Sequence, residues 1–243
     1  EVYVSGQLGS FKTKKPHRPM TINDLLSHQS GLTYDFSYRT EVDAAYRKIG
    51  VGRRSQNSLK ELIGSLSSLP LEFSPGEKWN YSISTDVCGY LVEVLSGNTL
   101  DKFFKENVFD PLGMVDTGFY VNDDKIHRLS ANYLFRADGP PRLIEDMQED
   151  ENTALPGFLS GGGGLMSTAE DYLAFCRMIL GKGTFDSEQL LSRKTIELMS
   201  SNHLEGGSQL SDVAYGRWSE ATFKGTGFGL GFSVVIDPSL SQV

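Results

Sequence analysis

Three short stretches of this chain each announce a helix start: Thr21-Ile22-Asn23-Asp24, Ser58-Leu59-Lys60-Glu61 and Ser167-Thr168-Ala169-Glu170. Each puts a hydroxyl side chain three residues ahead of a carboxylate. That spacing lets two side chains reciprocally satisfy free N–H groups at a helix N-terminus. The first is expected to run to Gly31. Behind the second, Leu59, Leu62, Ile63 and Leu66 recur at helical spacing. Behind the third come Leu173, Cys176, Ile179 and Leu180, then Gly181 as the stop. A further helix follows Tyr81 and places Val87, Leu91, Val94 and Leu95 on one face before Gly97. Another amphipathic stretch, Phe103 to Phe109, ends at Pro111-Leu112-Gly113.

Strand signals are fewer. Val2 and Val4 suit one strand, and Phe228, Leu230, Phe232, Val234 and Ile236 alternate strictly with small residues before a turn at Asp237-Pro238. A single strand is expected there, bare on one face where another backbone or a helix packs closely. Helices fill the middle and a sheet begins near the C-terminus. The expected class is α+β, with most of the antiparallel sheet encoded outside the chain. The 243 residues then form one partial domain, 1–243. The chain starts Glu1-Val2-Tyr3-Val4, without Met or a signal-peptide pattern, and both ends read as cut from something longer. A cytoplasmic location is the default expectation, which such ends do not test.

Composition narrows the partners. Hydrophobic residues make up 39% and charged residues 22%, ordinary for a globular protein, and the formal net charge is -8. The 23 Lys and Arg are scattered, which argues against a nucleic-acid or anionic-membrane partner. Apolar runs such as Phe228 to Ile236 are far too short to span a bilayer. Cys88 and Cys176 make no disulfide framework and sit in helical apolar patterns, as small buried hydrophobes do. His17, His28, His127 and His203 have no metal-ligand spacing.

The usual enzymatic signatures are missing. Gly-x-Ser-x-Gly does not occur, and neither does a phosphate loop or a dinucleotide fingerprint in its proper context. Gly161-Gly162-Gly163-Gly164 has no basic residue and reads as a tight backbone passage. One pattern carries chemistry. Pro75-Gly76-Glu77-Lys78-Trp79-Asn80-Tyr81-Ser82 delivers a tyrosine to the mouth of a helix. A phenol ordinarily has a pKa of about 10. The positive end of a helix dipole, or a nearby ammonium, favours the phenolate. A tyrosine so placed can take a proton from a serine and return it to a leaving group. Local physics alone leaves the plainer alternative open, a tyrosine that packs a loop on a helix.

Four segments, in order, resemble the serine β-lactamase and penicillin-binding superfamily, most closely the class C β-lactamases and family VIII carboxylesterases. Met20 to Leu32 resembles the family's TIRDLLTHTSGL segment, and Pro75-Gly76-Glu77 with Tyr81-Ser82 resembles its PGE…YS. Asp110 to Met114 contains PLGM, and Gly163 to Asp171 resembles GGLxSTAxD. The resemblance covers nearly the whole chain. It implies a β-lactamase/transpeptidase-like fold and acyl transfer through a serine of Ser-x-x-Lys, without metal or organic cofactor. By this resemblance Tyr81 is the catalytic tyrosine of the second motif.

No serine here has a lysine three residues on. Ser10 comes nearest, with Lys12 at the second position and Thr13 at the third. The nucleophile is therefore expected before Glu1, and the third motif after Val243. Lys224-Gly225-Thr226-Gly227 has the wrong order for Lys-Thr-Gly and precedes the alternating strand. Class C β-lactamases carry an asparagine two residues after the tyrosine, which binds the lactam amide side chain. Ile83 stands there instead, which points to ester substrates. Gly163 replaces an aromatic residue ahead of the ST helix, which implies a wider or differently shaped acyl pocket. Ile83 and Gly163 are thus the candidate substrate-binding positions. The expected reaction is hydrolysis of short-chain carboxylic esters. The alternatives are β-lactam hydrolysis, a D-Ala-D-Ala peptidase, or a non-catalytic scaffold, and oligomeric state is left open. His28 is expected to be a hydrogen-bonded structural histidine at a helix end, Asp86 a first-turn helix residue, and Trp79 a packing residue.

Overall fold

The structure is a computed structural model that describes residues 1–52, 58–145, 154–215 and 223–241. The expected strand at Val2 and Val4 forms as β1 (Val2–Ser5), paired antiparallel with β2 (Lys12–Lys14). Helix α1 (Ile22–Leu26) carries the full reciprocal cap of Thr21 and Asp24. Arg18 clamps the Asp24 carboxylate with two hydrogen bonds of 2.7 and 2.8 Å. This helix ends at Ser27, ahead of the expected Gly31. Gly31 lies in the following loop at φ +84°, and a Cβ there would collide with the Phe73 carbonyl, so only glycine lets the two backbones touch.

Helix α2 (Glu41–Ile49) is capped by Thr40 and Asp43. Ser58 caps α3 (Leu59–Ser67) by accepting from the Glu61 N–H at 3.2 Å. Helix α4 (Ser84–Ser96) follows Tyr81 and ends at Gly97 in a left-handed conformation. It is the central helix, packed against α1, α3 and α5 (Leu100–Phe104). A wide π turn, Lys105–Phe109, joins α5 to α6 (Asp110–Leu112), and Gly113 ends the run. The hairpin β3 (Asn132–Leu134) and β4 (Arg142–Glu145) follows. Helix α7 (Ala169–Leu180) starts one residue later than expected. Thr168 has the extended backbone of a cap and accepts from the Asp171 N–H, and Ser167 bonds Thr117 instead. Gly181 terminates it as expected.

The C-terminal region holds the hairpin β5 (Thr184–Phe185) and β6 (Glu188–Gln189), then α8 (Arg193–Met199) and α9 (Leu210–Val213). The alternating segment is not one strand. It forms β7 (Thr226–Phe228) and β8 (Ser233–Val235), paired antiparallel with Phe228 opposite Ser233. Gly231 at φ +88° makes the turn that the alternation concealed. The turn at Asp237 forms, with its carboxylate accepting from the Ser239 N–H at 2.9 Å.

The class is α+β, as expected, with helices and small antiparallel sheets. The main core joins α1 to α5 through Leu25, Val42, Tyr46, Leu62, Ile83 and Leu100. Each such buried side chain contributes about 1.5–3 kcal/mol. A second cluster joins the α5–α6 run to α7 and α8 through Phe109, Leu112, Met178 and Ile196. A third gathers Trp79, Leu204, Leu210 and Phe228. Cys88 and Cys176 are half-buried, less enclosed than their patterns suggested. Among the described residues no helix is long and apolar enough to cross a membrane.

Candidate active site

Tyr81 lies three residues before Ser84, at the mouth of α4. What brings it there is residues 72–83, a segment with a turn at Pro75-Gly76, strung along the loop that leaves α1. Glu72 N–H donates to the Gly31 carbonyl at 2.8 Å, and Gly76 N–H to that of Gln29 at 2.9 Å. Asn80 N–H donates to the His28 carbonyl at 2.9 Å, and Ile83 N–H to that of Thr33 at 3.3 Å. On its other side Trp79 N–H donates to the Val213 carbonyl at 2.9 Å. Two of the segments quoted for the resemblance are therefore neighbours in space, joined by backbone hydrogen bonds.

Side chains lock this arrangement. The Asn80 amide donates to the Leu32 carbonyl at 2.8 Å and accepts from Arg39 at 2.9 Å. Arg39 also lies 3.6 Å from Glu72, whose pKa burial raises. Behind Tyr81 runs a buried chain of hydroxyls. Ser30 bonds Ser84 at 2.7 Å, Ser84 bonds Ser82 at 2.8 Å, and Ser82 meets His28 Nδ1 at 3.3 Å.

The phenol ring of Tyr81 lies within an aromatic row. His28 is 4.9 Å away on one side and Tyr34 5.4 Å on the other, between ring centroids. The buried end continues to Trp79 and Phe228, 6.0 and 5.7 Å from His28. The outer end continues to Phe36, stacked on Tyr34 at 4.6 Å. Lys78, the lysine nearest Tyr81 in sequence, lies over the rings of Tyr215 and Phe73 instead.

His28 is the structural histidine that its position suggested. It is 3% exposed, follows α1 at φ +56°, and accepts at Nδ1 from the Ser82 N–H at 3.3 Å. Burial pushes its pKa down to about 4. It is thus neutral near pH 7 and brings no cation to the phenol. Trp79 is a packing residue, 4% exposed in the third cluster.

Asp86 stands in the first turn of α4, as expected, and does more than meet the helix dipole. It is buried, and it accepts from Ser160 Oγ at 2.6 Å and from the Gly162 N–H at 3.4 Å. Burial raises its pKa against these bonds. The glycine run is the tight passage that the sequence suggested. A Cβ on Gly161 would strike the Thr85 carbonyl, and one on Gly162 would lie 2.8 Å from both Asp86 and Thr85.

The two substrate-binding candidates fall differently. Ile83 is 1% exposed and packs inside the main core. Tyr81 is half-buried, and Ile83 departs from its side because the backbone leaves extended geometry at the N-cap of α4, where Ile83 has φ -63° and ψ 8°. Gly163 is exposed, with open space where a side chain would stand. Thr226, in the discounted Lys224–Gly227 stretch, is buried in β7.

Sequence reasoning missed Tyr34 and Ser160. No periodicity or spacing links residues 34, 81 and 160. The one usable signal was the glycine run, whose missing side chains imply a close neighbour. A separate cavity of about 380 Å³ lies against Met114, Asp116, Phe119 and Lys125 and contains none of the candidate site residues. Among the described residues no cluster of His, Cys, Asp and Glu could hold a metal ion.

The family model described as Beta-lactamase matches residues 3–239. Protein Rv1367c of Mycobacterium tuberculosis is 37% identical over 231 residues, which cover 95% of this chain and 55% of that protein. Esterase EstB of Burkholderia gladioli is 31% identical over 189 residues, 70% of this chain and 47% of that one. The solved structure of EstCE1, described as a hydrolase with promiscuous acyltransferase activity, aligns with a TM-score of 0.72 at 28% identity. It covers 91% of this chain and 58% of that one. The chain spans about half the length of the curated relatives it matches.

Proposed function

The chain belongs to the beta-lactamase family, and from that premise we propose that it is part of a serine hydrolase of short-chain carboxylic esters. A serine outside the chain attacks the ester carbonyl. Tyr81 accepts the serine proton and returns it to the leaving alcohol, and an acyl-enzyme forms and is hydrolysed by water. The observation that carries this reading is the placement of Tyr81, at the mouth of α4 on a segment pinned along both edges by backbone hydrogen bonds. Such fixing is what proton transfer requires, because a base must meet its proton at hydrogen-bond distance.

Esters are favoured over lactams because no asparagine able to bind a lactam's amide side chain stands two residues after Tyr81, where the buried Ile83 lies instead. The esterase relative and the hydrolase structure point the same way. Gly163 leaves open the edge where an acyl group would lie. The ligand is a small ester, and the chemistry needs neither metal nor organic cofactor.

The test uses the longer protein that contains this chain, with p-nitrophenyl butyrate and nitrocefin as substrates. Tyr81→Phe is expected to lower ester turnover by about 100-fold or more with the fold intact. Unchanged turnover removes Tyr81 from the chemistry, and faster turnover of nitrocefin than of the ester reverses the substrate assignment. Residues 1–243 alone are expected to hydrolyse neither.

A further inference from the structure

The base assigned to Tyr81 leaves one neighbouring side chain without a role. Resting on that assignment, we propose that Tyr34 is a positioning residue, which holds the Tyr81 ring in its working orientation and couples it to the glycine run.

The two flanks of Tyr81 differ in how they are held. The His28 flank is buried and fixed by Ser82 and the third cluster. The Tyr34 flank comes from the end of a loop, ahead of a three-residue 3-10 turn, Asp35–Ser37. Its ring lies 5.4 Å from that of Tyr81 at 48° and is stacked on Phe36 at 19°. Phe36 is 41% exposed and cannot anchor the stack by burial. The anchor is the Tyr34 hydroxyl, which packs near the Thr85 hydroxyl in the first turn of α4: both oxygens lie within 3.0 Å of the point where a Gly162 Cβ would stand. Gly162 makes room for it, since a Cβ there would lie 3.0 Å from the Tyr34 oxygen. Asp86, next to Thr85, is bonded by Ser160 and Gly162. One hydroxyl thus sits where the helix start, the glycine run and the ring beside Tyr81 meet. Burial and the Asp86 carboxylate both raise the Tyr34 pKa, so it stays a neutral phenol and does not compete as a base.

The experiment uses the longer protein and p-nitrophenyl butyrate, with sites counted by stoichiometric labelling with a fluorophosphonate. Tyr34→Phe keeps the ring and loses the anchor. It is expected to lower kcat per labelled site about fivefold, the effect of one neutral polar contact. Thr85→Val should match it, and the double variant should be no worse than either, because both remove the same contact beside Gly162. Tyr34→Leu loses the ring contact and should lower kcat up to about 100-fold, the cost of a base displaced by about an ångström. KM stays near its original value, so the loss falls on kcat.

If Tyr34→Leu lowers only the labelled fraction or the melting temperature, with kcat per site and KM unchanged, Tyr34 is merely structural. Additive losses in the double variant, or a Tyr34→Phe as damaged as Tyr81→Phe, also overturn the proposal. Should Tyr34→Leu fail to fold, Tyr34→Phe and Thr85→Val decide by themselves. Full turnover in Tyr81→Phe overturns the base assignment instead, whatever the Tyr34 variants do.

Discussion

His28 turns the residue-scale argument into a pH dependence. Its folded pKa is about 4, against about 6.5 unfolded, because burial disfavours the imidazolium. Below pH 6.5 the unfolded chain therefore binds more protons at this site than the folded one. Stability is complete above that value and falls as pH drops toward 4, by at most about 3 kcal/mol. Glu72 and Asp86 act in the opposite sense, since burial raises their pKa values. His28→Asn isolates the histidine. Asparagine tolerates the positive φ here, and its carbonyl can accept from Ser82 as Nδ1 does. Urea melts from pH 4 to 7 are expected to lose stability faster toward acid in the original protein than in the variant, and parallel curves would refute this. Ile83 gives the second residue-scale prediction. Ile83→Asn restores the residue that class C β-lactamases carry, yet the site is core. It should cost about 2–5 kcal/mol by burying an unsatisfied amide, with no gain in nitrocefin turnover. A gain in that turnover at unchanged stability would contradict the buried placement.

At the scale of elements, the glycine run separates contact from open space. Gly161→Ala drives a methyl group into the Thr85 backbone carbonyl, which cannot rotate away. Gly163→Ala meets nothing. Thermal melts should place the first about 1–3 kcal/mol below the original and the second within about 0.5 kcal/mol. Equal effects would mean the run is not packed on α4 as described. These elements also mark what the sequence could reveal. Helix starts were legible at Thr21 and Ser58, because capping is a contact within four residues. At Ser167 two hydroxyls compete, and the long-range partner Thr117 settles which one caps. The β7–β8 turn was hidden, because alternation reads the same along one strand as across a tight hairpin. Tyr81 was legible through its flanking residues and the resemblance they carry. The meeting of Tyr34, Thr85 and Gly162 depends on tertiary packing, which no local pattern encodes.

At the scale of the whole molecule, two helices carry apolar side chains that no described residue covers. Helix α4 carries the expected apolar residues Val87, Leu91, Val94 and Leu95 before Gly97. Val87 and Leu91 pack against the main core, but Val94 is 58% exposed and Leu95 79%. Helix α7 buries Met178, yet Leu173 and Leu180 are 56% and 79% exposed. Scattered exposed leucines are common, but several on two helices raise the apolar share of the surface. A net charge of -8 opposes self-association only over roughly a Debye length, about 8 Å at physiological salt. Close contact between apolar faces escapes that repulsion once salt screens it. Residues 1–243 expressed alone are therefore expected to bind a hydrophobic dye and to elute increasingly as oligomers as salt is raised. Leu95→Lys with Leu180→Lys should reduce both without changing the helical content. Size-exclusion chromatography with light scattering at low and high salt checks this. A monomer indifferent to salt, with dye binding unchanged by the two lysines, would mean that these faces are not what makes the chain associate.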